Sequence, residues 1–547
     1  MSAVGFLLLG FLVTVVAWVS RRIVRLRRIA SALDNIPGPA SSSFLQGNMA
    51  DYFGRQGWKF TEHVAQDYGG IVKMHALCGE RMLCVQDPKA LYTVLIKEAS
   101  VFEESDAFLS TNQNIYGPGL LASMGEQHRK QRKMLNPVFS AAHMRHLLPT
   151  FYRITGKLRD AISTQVWEGP QEVDMMSWMG RIALECIGQG GLGYSFDPLV
   201  GGKMTDEYGN ALKGLFPTLQ EVNLWRELLP YVDWIGTPSF RRMALDLFPV
   251  EAIHKLKGII DLMSMKSTAL FHAKRGALKI GDEFVVRQVG EGKDIMSILI
   301  KANMMADDAD KLPDDQLIAQ MSTFLLAATD TTSNALARIL HNLAQYPEVQ
   351  GNLRAEVTDA FKEGDLPYDK LIQLPYLDAV CRETLRLYPP VTFSTRVPRE
   401  DSVLPLSKPM IGVDGSVVSE VPVPEGTLIV LGVLGANTNK ARWGADALEW
   451  KPERWLSPLP STLTEAATPG VFSHIMTFLG GKRACIGFKF SEMEMKVVLS
   501  TLISTFTFEL TDKEISWNQS PVHYPSVGND ATEPCMPLKV GLVNKGQ

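Results

Sequence analysis

Cysteine is scarce and unpatterned in this chain of 547 residues. The six cysteines, Cys78, Cys84, Cys186, Cys381, Cys485 and Cys535, are scattered with no C-x-x-C spacing. That argues against a zinc site or a disulfide framework and fits a reduced compartment. Charge of one sign is also missing: 55 Lys and Arg against 59 Asp and Glu leave a net charge of −4, which argues against nucleic-acid binding. There is no internal repeat and no linker that would divide the body of the chain. Length alone suggests about three domains; composition suggests one, over 44–547.

Lysine and arginine are absent before Arg21, and the first twenty residues, dominated by Leu, Val and Phe, carry no side-chain charge. At 1.5 Å per residue they span about 30 Å, enough to cross a bilayer core. The basic run Arg21-Arg22-Ile23-Val24-Arg25-Leu26-Arg27-Arg28 follows directly. The positive-inside rule then puts the body in the cytosol, and residues 1–20 read as an uncleaved anchor. A cleavable signal peptide would want basic residues first and a shorter apolar core. Residues 21–43, with Pro37-Gly38-Pro39, read as a basic, proline-rich hinge. With the body cytosolic, the sequon at Asn518-Gln519-Ser520 would stay unmodified.

The most informative segment is Phe478-Leu479-Gly480-Gly481-Lys482-Arg483-Ala484-Cys485-Ile486-Gly487. An amphipathic segment follows, with Phe490, Met493 and Val497 on one face. A cysteine at a helix N-terminus meets unpaired N–H groups and the positive end of the dipole, which favour thiolate. Glycines permit close approach to a flat object, Phe478 offers an aromatic face and Arg483 a fork for a carboxylate. A flat, carboxylate-bearing metal cofactor held through sulfur is haem. A cysteine hydrolase would need a histidine within reach, and His474 is the only nearby candidate in sequence.

These ten residues resemble the cytochrome P450 haem-binding pattern, aromatic-x-x-Gly-x-Arg-x-Cys-x-Gly, at every fixed position. The resemblance extends along essentially the whole chain. It implies a P450 fold, mainly α with small β-sheets: a single haem-thiolate catalytic domain behind a transmembrane helix. A helix expected from Pro313 to Tyr346 carries Ala327-Ala328-Thr329-Asp330-Thr331-Thr332, residues poorly suited to a helix interior. The bland account is a bent core helix whose hydroxyls satisfy its own carbonyls. The run resembles the family's oxygen-activation motif, which makes Asp330 and Thr331 the catalytic acid and threonine. Ala328 stands where the family has glycine.

Glu383-Thr384-Leu385-Arg386, on a helix expected over Leu374–Leu387, resembles the Glu-x-x-Arg pair, with Arg454 of Pro452-Glu453-Arg454-Trp455 as its third member. Gly125-Glu126-Gln127-His128-Arg129-Lys130-Gln131-Arg132 resembles the helix that holds a haem propionate, through His128 and Arg132. Arg396 resembles the strand arginine on the other propionate. The resemblance draws the substrate pocket from Phe108–Leu121, Phe324, Leu325, Ala328, Val391–Ser394 with Phe393, and the turn Val527–Asp530. Lys130, Lys133, Lys482 and Lys489 are candidates for a basic face toward an electron donor.

The implied activity is monooxygenation of a lipophilic small molecule, a terpenoid or other secondary metabolite, by haem b and O2. Electrons come from NADPH through a separate cytochrome P450 reductase, with cytochrome b5 as a possible second donor. The setting is the endoplasmic reticulum membrane, with the catalytic domain facing the cytosol. Two other readings stand: a reductase-independent haem-thiolate isomerase or dehydratase, and a non-catalytic, membrane-anchored lipophile-binding protein.

Overall fold

The computed structural model describes residues 20–201, 207–281, 292–466, 468–472 and 474–543. The expected anchor over 1–20 lies outside them, apart from Ser20. Among the described residues no helix is long and apolar enough to cross a membrane. By its internal contacts the chain divides into two compact units. Each is assembled from segments far apart in sequence, which no local composition signals.

The smaller unit takes in residues up to Ser105, Phe393–Ala447 and Ser461–Arg483. Its five-stranded sheet runs Ile71–His75, Arg81–Val85, Leu428–Gly432, Phe393–Pro398, Phe102–Glu103. The pairing of Arg81–Val85 with Leu428–Gly432 is parallel and the others are antiparallel. Residues 20–33 are helical and bury Ile29 and Leu33 in this unit's core beside Leu83, Val85 and Ile429. The Lys73 N–H donates to Pro37 O at 2.9 Å. This stretch of the expected hinge is docked on the unit through Ile29 and Leu33, four residues apart on one face of the helix.

The larger unit, Asp106–Thr392, Leu448–Pro460 and Ala484–Gln547, is mainly helical. Its longest helix, Asp314–Gln345, starts after Pro313 with Asp314 and Asp315 in the first turn and ends before Pro347. It packs against the helices Met175–Cys186, Glu251–Ile280 and Phe488–Thr505. Two small sheets complete the unit. One is ordered Gln171–Asp174, Pro537–Leu542, Phe506–Glu509; the other is the hairpin Ile515–Asn518 with Tyr524–Val527. Asn518 is fully buried and its Nδ2 donates to Ser526 Oγ at 2.8 Å, so no glycan could attach to the folded chain there.

Candidate active site

In the larger unit, Cys485 lies two residues before Gly487, the residue that precedes the helix Phe488–Thr505. That helix buries Phe490, Met493 and Val497, which fixes its start and with it the position of the sulfur. Cys485 is accessible at the surface yet closely surrounded. Burial pushes its thiol up, against the opposing effects of the Gly487 N–H and the Arg132 guanidinium. Desolvation outweighs the two favourable groups.

Arg132, on the helix Gly125–Leu135, donates from Nη1 to Ala484 O at 2.6 Å and from Nε to Asn136 Oδ1 at 3.2 Å. It is thereby tied to the cysteine loop. His128 is buried on the same helix, 3% exposed. A further link joins the cysteine's helix to the long central helix, Thr332 Oγ1 to Ser491 Oγ at 3.0 Å.

On the central helix, Phe324, Ala328 and Thr331 share one face at four- and three-residue spacing. Phe324 is buried edge-on against Phe139, ring centroids 5.4 Å apart. The Thr331 hydroxyl donates to Ala327 O at 2.7 Å, and that of Thr329 to Leu325 O at 2.5 Å. Both hydroxyls satisfy carbonyls of their own helix here, as the bland account supposes. Asp330 is half-buried, and burial pushes its carboxyl up to about 8. It lies on a cleft with Ser177, Lys213, Asn334, Val522 and Tyr524. Sequence reasoning looked for a wall at the turn Val527–Asp530. The hairpin instead brings Val522, between Asn518 and Tyr524, to this cleft, and only the strand pairing reveals it.

The structure brings Glu383, Arg386 and Arg454 together. Arg386 Nε and Nη2 donate to the Glu383 carboxylate at 2.9 and 2.8 Å, and Arg454 Nε donates at 3.3 Å. Glu383 and Arg386 are fully buried. Two donors to the same carboxylate went unread in the sequence: Trp455 Nε1 at 2.9 Å and the Lys451 N–H at 3.1 Å. Trp455 directly follows Arg454, which is the one signal that could have found it.

In the smaller unit, Arg396 stands on the strand Phe393–Pro398, 1% exposed. Its Nη1 donates to Glu104 Oε2 at 2.7 Å, a partner sequence reasoning missed. Arg483 and Lys482 both reach Glu103, at 3.1 and 2.7 Å. Gly481 has φ +70°, and a Cβ there would come within 2.0 Å of Leu95 O, so only glycine fits the loop. Phe478 packs edge-on against Phe472 at 5.4 Å. Phe393, expected in the pocket, is held by Phe53 and Tyr52, at 4.7 and 6.4 Å.

In the larger unit Phe108 and Val391 are half-buried. Three lysines of the expected basic face have partners within their own units. Lys130 donates to Ala309 O and Lys311 O, Lys133 pairs with Asp310, and Lys482 with Glu103. Lys489 lies over the Phe488 ring at 5.5 Å.

Comparison with known proteins accounts for these features together. The family model for cytochrome P450 matches residues 37–526. Cytochrome P450 monooxygenase 81 of Postia placenta (strain ATCC 44394 / Madison 698-R) is 57% identical over 94% of each chain. A ganoderic acid synthetase of Ganoderma lucidum is 48% identical, again over 94% of each chain. A cytochrome P450 crystal structure superposes with a TM-score of 0.69 over 93% of this chain and all of that one, at 22% identity, a likeness of fold. The chain belongs to the cytochrome P450 family and is a cytochrome P450 monooxygenase.

Proposed function

We propose that this enzyme holds haem b through Cys485 and oxidises a lipophilic small molecule, a terpenoid or other secondary metabolite. It would use O2 and electrons from NADPH passed on by a membrane-bound reductase, with cytochrome b5 as a second possible donor. The observation that carries the reading is the accessible Cys485 sulfur, which receives the Gly487 N–H and faces Arg132. The residues fit a porphyrin carrying carboxylates. Among the described residues, Arg396 Nη2 is buried with no hydrogen-bond partner, a donor suited to an added carboxylate. Arg132, His128, Arg396 and Arg483 would hold the propionates, and Phe478 would flank the sulfur loop. When bound, the haem supplies oxygen activation, for which thiolate ligation is suited.

The chain's own residues supply protons and shape. With its carboxyl pushed up to about 8, Asp330 holds a proton at neutral pH and ionises as pH rises through that value. Thr331 can exchange its bond to Ala327 O for one to a neighbouring water. Ala328 adds a methyl to the face that carries Phe324 and Thr331. The relative named a ganoderic acid synthetase supports a small organic molecule as substrate.

Placement at the endoplasmic reticulum membrane, body in the cytosol, belongs to the same proposal. It is supported by the basic run after residue 20 and by exposed Trp225, Tyr231, Trp234, Phe240, Met243 and Leu247. The test is to feed terpenoids to microsomes that co-express a reductase and read products by mass spectrometry. Turnover without NADPH would favour the isomerase or dehydratase reading, and a colourless protein the binding one. Cys485→Ser should abolish the red-shifted Soret band of the ferrous–carbon monoxide complex. In wild type, product formation should fall as pH rises through about 8, and Asp330→Asn should lack that limb.

A further inference from the structure

The pair Arg396–Glu104 lies wholly in the smaller unit and is asymmetric. Arg396 Nη1 donates to three acceptors: Glu104 Oε2 at 2.7 Å, Ser394 Oγ at 2.9 Å and Thr395 O at 2.6 Å. Nη2, on the same 1%-exposed side chain, is buried with no hydrogen-bond partner among the described residues. Arginine–carboxylate pairs are frequently bidentate, with two nitrogens of the fork engaged by the one carboxylate. Here one carboxylate oxygen takes one arm. Because a guanidinium is planar, holding Nη1 fixes where Nη2 points.

Glu104 is itself held. The preceding Glu103 pairs in register with Val397, and Arg399 Nη2 donates to Glu104 O at 2.8 Å. Glu103 does not compete for Arg396, being engaged by Lys482 and Arg483. Arg396, Lys482 and Arg483 thus stand against Glu103 and Glu104.

We infer that Glu104 is a positioning residue, which clamps one arm of Arg396 so that the other is presented to a carboxylate of the bound haem. The inference rests on the haem reading above. Its test is haem transfer from the purified holoenzyme to excess apomyoglobin. Glu104→Ala should speed transfer by about tenfold or more, the scale seen when a partner orienting a ligand is removed. Glu104→Gln keeps a carbonyl acceptor at the same reach and should transfer at close to the wild-type rate. Glu104→Asp keeps the charge but is one methylene too short, and should be fast.

In an Arg396→Ala background, Glu104→Ala should add nothing. The opposite order, with Gln fast and Asp slow, would make charge the determinant and overturn the inference. Equal acceleration by Glu104→Ala with and without Arg396 would overturn it too. Should Glu104→Ala fail to fold, the Asp and Gln variants decide alone. Wild-type protein that purifies folded and without haem would instead defeat the haem reading itself.

Discussion

Two glutamates of the larger unit are equally buried, at 0% exposure, and live in opposite surroundings. Glu383 accepts from Arg386 twice, from Arg454, from the Trp455 indole and from the Lys451 N–H. Glu494, on the helix that follows Cys485, has no hydrogen-bond partner on either oxygen among the described residues. Burial therefore says little about a carboxylate until its donors are counted. Glu383 is a fixed charge that ties the helix Pro375–Leu387 to the segment Pro452–Leu456. Burial pushes the Glu494 carboxyl well above the usual range. The largest effect should come from removing the fixed charge. Glu383→Ala leaves two guanidiniums without their shared partner, a loss of about 3–5 kcal/mol. A fall in the unfolding midpoint by circular dichroism, deep enough to leave little folded protein, is the expected result. A change under about 1 kcal/mol would show that the donors re-pair elsewhere.

At Glu494 the sign reverses. Glu494→Met removes two unsatisfied buried oxygens and should stabilise by about 1–3 kcal/mol. The pH dependence separates this from a general packing gain. The folded-state pKa is raised above the ordinary 4.5, so the folded chain holds a proton that the unfolded chain releases. Stability should therefore fall as pH rises above about 4.5, by up to about 1.4 kcal/mol per pH unit, until the folded group ionises. Glu494→Gln should flatten that slope. An unchanged slope would mean that a bound water or another group supplies the missing partner.

How far these contrasts could be read from the sequence depended on how local they are. Glu383 and Arg386 lie three apart on one helix, and the cysteine loop is a contiguous run, so spacing alone suggested both. The long helix was anticipated at Pro313–Tyr346 and found at Asp314–Gln345, because proline and acidic residues mark its ends. Glu104 was invisible. It meets Arg396, 292 positions away, only because the strands Phe102–Glu103 and Phe393–Pro398 pair. The partners of Lys130 and Lys133 were likewise out of reach: they lie on the segment 309–311, far away in the sequence.

The smallest expected change tests whether Glu383 behaves as one network or as a sum of contacts. Trp455→Phe deletes one donor, the indole N–H at 2.9 Å from Oε2, and keeps the aromatic bulk. Oε2 still accepts from Arg386 Nε, so the carboxylate is not orphaned. A single lost hydrogen bond to a charged group should cost about 1.5–3 kcal/mol, and less if Arg386 tightens to compensate. Arg454→Met alone removes another donor and some buried charge. If the five donors act independently, the double variant should lose the sum of the two single losses. If they polarise and position one another, the double loss should differ from that sum by 0.5 kcal/mol or more, on the order of the coupling seen between groups in one network. Strict additivity would make Glu383 a well-solvated anion in all but name, its five donors standing in for the waters it gave up.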